Sequence, residues 1–346
     1  MSLVDDLRTL PKTELHLHLL GALRPATVVE LARRVGSPLL PTAERALAGG
    51  GYAFADLSSF VAFFIGLFEL LVRPEDLERV TFEALEDAAA GGVRWAELRL
   101  TPTSHLSRGA EEVPFFEGIE AGRRAAAEAC GIESRLIVDF PRTLPLETAE
   151  TALAVALRQR RRGVTGFDIA GDEQTLAVEP AFAPVFAAAR QGGLHRCAHA
   201  GEAAGPESVA AALDVYGACR IGHGTRAIED AALVERLARE GVVLEVCATS
   251  NVALGVVPSI AAHPLPAFLE AGVRCVPSTD DPTLFGTDAA TEYARLHEAL
   301  GLELETLRRL AADGFAAAFV EPGPEGDATR ERLAAWRREA LGWMPV

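Results

Sequence analysis

A short apolar run followed by a helical stretch recurs along this chain, and that alternation limits the fold more than any other feature. Runs of strand length fall at 13–19, 93–100, 133–140, 164–170, 194–200, 219–223, 242–247 and 274–278. Between them lie amphipathic or Ala-rich segments of helical period at 74–90, 117–130, 146–162, 181–191, 206–216, 230–240 and 265–271. Gly131, Gly163, Gly193, Gly241 and Gly272 stand where helix C-termini call for glycine. Strands apolar along their whole length belong to parallel sheets covered on both faces. Eight such strands alternating with helices in 346 residues predict an α/β fold, a single (β/α)8 TIM barrel with extra helices. A doubly wound open sheet is the alternative, but no G-x-G-x-x-G follows the first strand. The extra helices are expected after strand one (25–35, the Phe60 region and 74–90) and at the C-terminus (303–317 and 327–341). With no linker or internal repeat, residues 1–346 read as one domain.

Composition mainly excludes partners. A formal charge of -16 disfavours a nucleic-acid backbone or an anionic membrane, and leaves room for a small uncharged or cationic substrate. Cys130, Cys197, Cys219, Cys247 and Cys275 form no C-x-x-C pair, and no signal-peptide pattern precedes them. Reduced thiols in a cytoplasmic protein are therefore expected. The greasiest run, Phe60 to Phe68, is too short to span a bilayer. It is expected to be a buried helix, with an apolar wall over the mouth of a small-molecule pocket as the secondary reading.

In a barrel, reactive groups come from the C-terminal ends of different strands. Here strand one ends in His16-Leu17-His18, whose spacing turns both imidazoles into the barrel. Strand five ends in His199-Ala200-Gly201-Glu202, strand six in Gly222-His223-Gly224, and strand eight in Thr279-Asp280-Asp281-Pro282. Each string alone is ambiguous, since paired strand histidines often face solvent and Asp-Asp-Pro is ordinarily a turn. Together, at one end of one barrel, His16, His18, His199 and Asp280 make a nitrogen-rich set suited to a single zinc with a position left for water. His105 in a loop, His195 at a strand start, His263 before Pro264 and His297 in a helix are expected to be structural.

At these residues the chain resembles the adenosine deaminase family of the amidohydrolase superfamily. The resemblance rests on Pro11-Lys12-Thr13-Glu14-Leu15-His16-Leu17-His18, Glu97-Leu98-Arg99 with Pro102, and Phe167-Asp168-Ile169-Ala170-Gly171-Asp172-Glu173. It continues through His199-Ala200-Gly201-Glu202, Arg220-Ile221-Gly222-His223-Gly224, Glu245-Val246-Cys247-Ala248-Thr249-Ser250-Asn251 and Ser278-Thr279-Asp280-Asp281-Pro282. It implies hydrolytic deamination of a 6-aminopurine nucleoside, with one Zn2+ per chain on His16, His18, His199 and Asp280. Glu202, His223 and Asp280 would form the catalytic group: Glu202 protonates the purine N1, and His223 orients or deprotonates the attacking water. Asp281 would meet N7, the Gly171 N–H would meet N3, and Arg99 and Leu20 would lie on the substrate side. Chemistry agrees, because attack at C6 pushes electrons onto N1 and an acid must wait there, kept protonated by burial. Related hydrolases with two metals bridge them through a lysine on strand four. Lys12 is the only lysine in this chain, so that arrangement is unavailable.

One position departs from the pattern. Adenosine deaminases carry Asp two residues after the second histidine of strand one, where it accepts a hydrogen bond from the ribose 5′-hydroxyl, and adenine deaminases usually carry Glu. This chain has Leu20. A 5′-hydroxyl buried against leucine would lose about 1–3 kcal/mol. The substrate is therefore expected to be a 5′-modified adenosine such as aminodeoxyfutalosine, with adenosine or adenine as alternatives. A zinc hydrolase of amides or esters, or a binding protein that has kept the fold, are readings from other classes. The first would not need Glu202, and the second would not need the complete constellation.

Overall fold

The computed structural model describes residues 2–54 and 57–345. Met1, Ala55, Asp56 and Val346, which the single-domain reading included, lie outside the described residues. Eight parallel strands follow one another in sequence order around a barrel. They are β1 (Lys12–His18), β2 (Val93–Leu100), β3 (Glu133–Pro141), β4 (Val164–Ala170), β5 (His195–Ala200), β6 (Arg220–His223), β7 (Val243–Val246) and β8 (Arg274–Pro277). Each expected strand is present, with no end shifted by more than one residue. The first strand starts at Lys12 rather than Thr13, and Lys12 is buried, donating its ammonium protons to Leu7 O, Leu10 O and Gly91 O.

The barrel closes between its last and first strands through a parallel bridge of Leu17 to Asp280. The His18 N–H donates to Asp280 O and the Asp280 N–H to His16 O, both at 2.9 Å. Closure is therefore made by the backbone of the same residues expected to hold a metal. A register shift lies between Glu14 and Leu17, where β1 spends an extra residue against β2.

Four helices occupy the first connection: Pro25–Val35, Leu40–Gly49, Leu57–Leu67 and Pro74–Ala90. The helix at Leu40–Gly49 was not read from sequence. The apolar run expected at Phe60 to Phe68 forms the helix Leu57–Leu67, and Phe68 lies just beyond its end. The helix expected at 117–130 begins at Glu112, and that expected at 146–162 stops at Arg158, before a 3-10 turn. Leu304–Ala317 and Pro324–Gly342 close the C-terminus. Among the described residues, no helix is long and apolar enough to cross a membrane.

The barrel interior departs from the apolar filling usual in this fold. Arg99 donates to Asp168 Oδ2 at 2.8 Å, to Leu15 O at 2.6 Å and to Glu245 Oε2. Arg220 donates to Glu245 and Glu97. All five side chains are buried, so the floor of the site is an ionic lattice in which every charge has a partner. Burial alone would raise the Glu245 carboxyl, but Arg99 and Arg220 outweigh it and hold the group well below the ordinary carboxylate range.

Candidate active site

Above that lattice four ligand-bearing side chains converge. His16 Nε2 and His18 Nε2 lie 3.2 and 3.3 Å from Asp280 Oδ1, and His18 Nε2 lies 3.2 Å from His199 Nε2. Ligand atoms arranged tetrahedrally about zinc at roughly 2.0–2.2 Å are about 3.3–3.6 Å apart, so the set fits that ion. The donor chemistry agrees. His16 Nδ1 is committed to Glu245 Oε2 at 2.8 Å, which turns its Nε2 lone pair inward, and that buried atom has no hydrogen-bond partner. Burial, aided by the positive field of Arg99, pushes His16 down toward the neutral imidazole a metal needs. His18 is lowered further by its burial. His199 is different: burial would lower it, but Asp168, 3.1 Å from Nδ1, prevails and raises it.

The backbone pays for this convergence at two points. His223 and Asp280 adopt φ of 62° and 64°, the left-handed region that side-chain-bearing residues rarely enter. Such strain costs on the order of 1–3 kcal/mol per residue and persists where surrounding bonds over-determine it. For Asp280 those bonds are the two that close the barrel, together with Ser250 Oγ, which donates to Asp280 Oδ2 at 2.6 Å. Gly222 is needed beside them, because a Cβ there would stand 2.8 Å from His16 Cε1.

Around the cluster the remaining candidates are brought to one end of the barrel. Glu202, His223 and Asp280 form a second converging group. Glu202 Oε1 lies 3.6 Å from His223 Nε2, and the Glu202 side chain is 19% exposed, less enclosed than expected. His223 Nδ1 faces Asn251 Nδ2 at 3.2 Å, while Asn251 Oδ1 accepts from Thr225 Oγ1 at 2.8 Å. The amide proton is thus aimed at His223 Nδ1, leaving His223 Nε2 to carry the hydrogen. Asp281 Oδ1 is buried without a partner, and burial next to Asp280 and Glu202 raises that carboxyl well above its usual range. Gly171 follows β4 with φ of 91°.

Two expectations need correction. Arg99 borders the small cavity beside Leu20, but its guanidinium is committed to Asp168, Glu245 and Leu15 O inside the barrel. His105 is not in a loop but in the helix Pro102–Leu106, buried, with Nδ1 3.0 Å from Leu71 O. His263, thought merely structural, reaches Asn251 Oδ1 through Nε2 at 3.3 Å and so touches the group that orients His223. Leu20 is buried in a 3-10 turn. It borders a small cavity together with His18, Phe64, Phe68, Leu100 and His105. Phe64 meets the His18 ring edge-on, 6.3 Å between centroids, so the inserted helix Leu57–Leu67 reaches one member of the candidate metal set.

A closed parallel barrel with three imidazoles and a carboxylate at its C-terminal mouth defines a metal-dependent hydrolase of the amidohydrolase kind. Comparison with known proteins narrows the class. The adenosine deaminase family model matches residues 11–336. An adenine deaminase of Streptomyces coelicolor is 42% identical over 322 residues, covering 93% of this chain and 94% of the relative. An aminodeoxyfutalosine deaminase of the same organism is 39% identical over 332 residues, covering 94% and 85%. The solved structure of an amidohydrolase from Burkhoderia ambifaria, which contains bound Zn, superposes with a TM-score of 0.83 at 29% identity, covering 97% of this chain and 92% of that one. The chain belongs to the adenosine deaminase family, and it is an aminohydrolase acting on C–N bonds of purines.

Proposed function

We propose that this enzyme removes ammonia from a 6-aminopurine nucleoside modified at its 5′ position, such as aminodeoxyfutalosine, and that it does so with one zinc. His16, His18, His199 and Asp280 would hold the ion, which supplies Lewis acidity and brings the pKa of water from about 16 toward 7. Glu202 gives a proton to N1 as C6 becomes tetrahedral. His223, its Nδ1 taken up by Asn251, turns Nε2–H toward the attacking water and holds it against C6. Asp281, kept neutral by burial beside Asp280 and Glu202, donates to N7, and the Gly171 N–H meets N3. Of the two protons the attacking water gives up, one goes to the amino nitrogen and one restores Glu202, so ammonia leaves and the 6-oxo purine remains. Glu202→Gln tests the acid: a loss of about 10²–10⁴ in kcat is expected. An amide or ester hydrolase would keep most of its activity.

The observation that carries the substrate reading is Leu20, 5% exposed and lining a cavity with Phe64 and Phe68 where a hydroxyl acceptor would be required for adenosine. The 39% identical aminodeoxyfutalosine deaminase supports it. Removal of ammonia from free adenine is the second reading, favoured by the 42% identical adenine deaminase. Catalytic efficiencies on aminodeoxyfutalosine, 5′-deoxyadenosine, adenosine and adenine separate them. The 5′-extended nucleoside should lead adenosine by roughly 5- to 150-fold, the equivalent of one unsatisfied hydroxyl. A clear win for adenosine or adenine would overturn the reading.

A further inference from the structure

Glu173 lies in the loop after β4, away from the metal ligands, yet its buried side chain receives five hydrogen bonds. Oε2 accepts from the backbone N–H groups of Glu202 at 3.0 Å, Ala203 at 2.8 Å and Ala204 at 2.9 Å. Oε1 accepts from the Gly201 N–H at 2.7 Å and from the Ser208 hydroxyl. Four successive N–H groups aimed at one point make an anion nest of the kind that elsewhere captures phosphates. Here the anion is the chain's own carboxylate. By contrast, the Glu202 side chain makes no hydrogen bond of its own among the described residues; it stands 3.6 Å from His223 Nε2 and within 4.8 Å of an Asp280 carboxylate oxygen. The direction in which Glu202 points is therefore set by its backbone, and its backbone is set by Glu173. Arg142 ties the same two loops a second time, donating to His199 O at 2.5 Å and to Ala177 O at 2.9 Å.

We propose that Glu173 is a positioning residue, a strut that fixes the Glu202 carboxyl relative to Gly171 two residues before it. On the role for Glu202 proposed above, on which this rests, the strut sets the spacing at which the N1 and N3 edge of the purine is read. A misplacement of about 1 Å at such a group can cost about 100-fold in rate. Glutamine at 173 would present one acceptor oxygen and one NH2, so the N–H groups facing the NH2 would lose their partner and the loop would shift.

The test is a double-mutant cycle on the full-length, metal-loaded enzyme: Glu173→Gln, Glu202→Gln and both together. Metal content and melting temperature are measured on each. Glu173→Gln should lower kcat about 10- to 100-fold with bound metal intact and KM within about threefold. In the Glu202→Gln background the same change should cost less than about twofold, because the group it aims is already gone. If instead the two losses multiply, Glu173 supports the fold and not the acid, and the strut is wrong. A wild-type kcat for Glu173→Gln would also overturn it. A wild-type kcat for Glu202→Gln would sink the acid assignment itself. Should Glu173→Gln not fold, Glu173→Asp, which keeps the charge one methylene short, takes its place in the same cycle under the same criterion.

Discussion

On the side of the proposed metal ligands, four inward-facing groups are gripped from behind, His16 by Glu245, His199 by Asp168, Asp280 by Ser250 and His223 by Asn251, while His18 Nδ1 stands 3.9 Å from Asp139. On the side of Leu20, Phe64 and Phe68, the contacts are ring against ring, Phe64 with Phe68 at 6.0 Å and Phe68 with His105 at 4.9 Å. The first region needs angles and distances held within tenths of an ångström, and directional bonds do that. The second needs only shape and dryness, which packing supplies. They also differ in origin. The metal side is assembled from β1, β5, β6 and β8, whereas the wall comes mostly from the long first connection. Residues of that insertion can change what fits beside His18 without moving a ligand. On the proposed reading, chemistry and substrate choice are thus housed in separable parts of the chain.

That separation can be broken from either side. The largest effect should follow from Asp280→Ala or His199→Ala, with bound metal lost and turnover below about a thousandth of wild type, read by metal analysis and steady-state kinetics. If metal stays at full occupancy with activity retained, these residues are not the ligands. Next, Glu245→Leu would leave Arg99 and Arg220 facing each other with one carboxylate fewer. It should cost about 3–5 kcal/mol in denaturant unfolding, since removing one member strands buried charge. A loss under 1 kcal/mol would mean the lattice is not coupled as its distances indicate. Leu20→Glu should move selectivity by about 1–3 kcal/mol toward substrates that offer a hydroxyl or N–H, at unchanged metal content. An unaltered ranking on the substrate panel would remove Leu20 from the specificity argument. The smallest effect concerns the wall alone. Burial pushes His105 down to about 4, so the unfolded chain takes up its proton before the folded one does. This contribution is complete above pH 6.5 and is lost as pH falls toward 4, by about 1 kcal/mol between pH 7 and 5.5. His105→Gln should flatten that part of the pH–stability curve, and an equal slope in both proteins would refute the assignment.

The barrel and the cluster at its mouth were legible because they depend on pattern. Apolar runs at fixed spacing require parallel strands, and His16-Leu17-His18 places two imidazoles on one face whatever surrounds them. The ionic lattice was harder to see. Its signal is present in Glu97-Leu98-Arg99 and in Arg220 two residues before Gly222, where charged residues alternate into a barrel interior. Nothing in one strand, however, says that Arg99 will meet Glu245 across the barrel. The guanidinium of Arg99, expected on the substrate side, consequently lies within the ionic lattice instead. Glu173 shows the same limit. It stands in a string that resembles the family, but its partners are backbone N–H groups, which leave no mark in sequence. His105 was misplaced because the helix Pro102–Leu106 is too short to show a period.

The closure at Asp280 has a consequence for how the protein comes into being. The pairing that completes the barrel joins segments 265 residues apart, as the contact of Thr279 with Glu14 records. During synthesis, His16 and His18 emerge early, with two imidazoles exposed and no carboxylate to complete their set. A ribosome must deliver most of the chain before a four-ligand site can exist. If these four residues hold the proposed metal, its uptake follows the meeting of the chain's two ends.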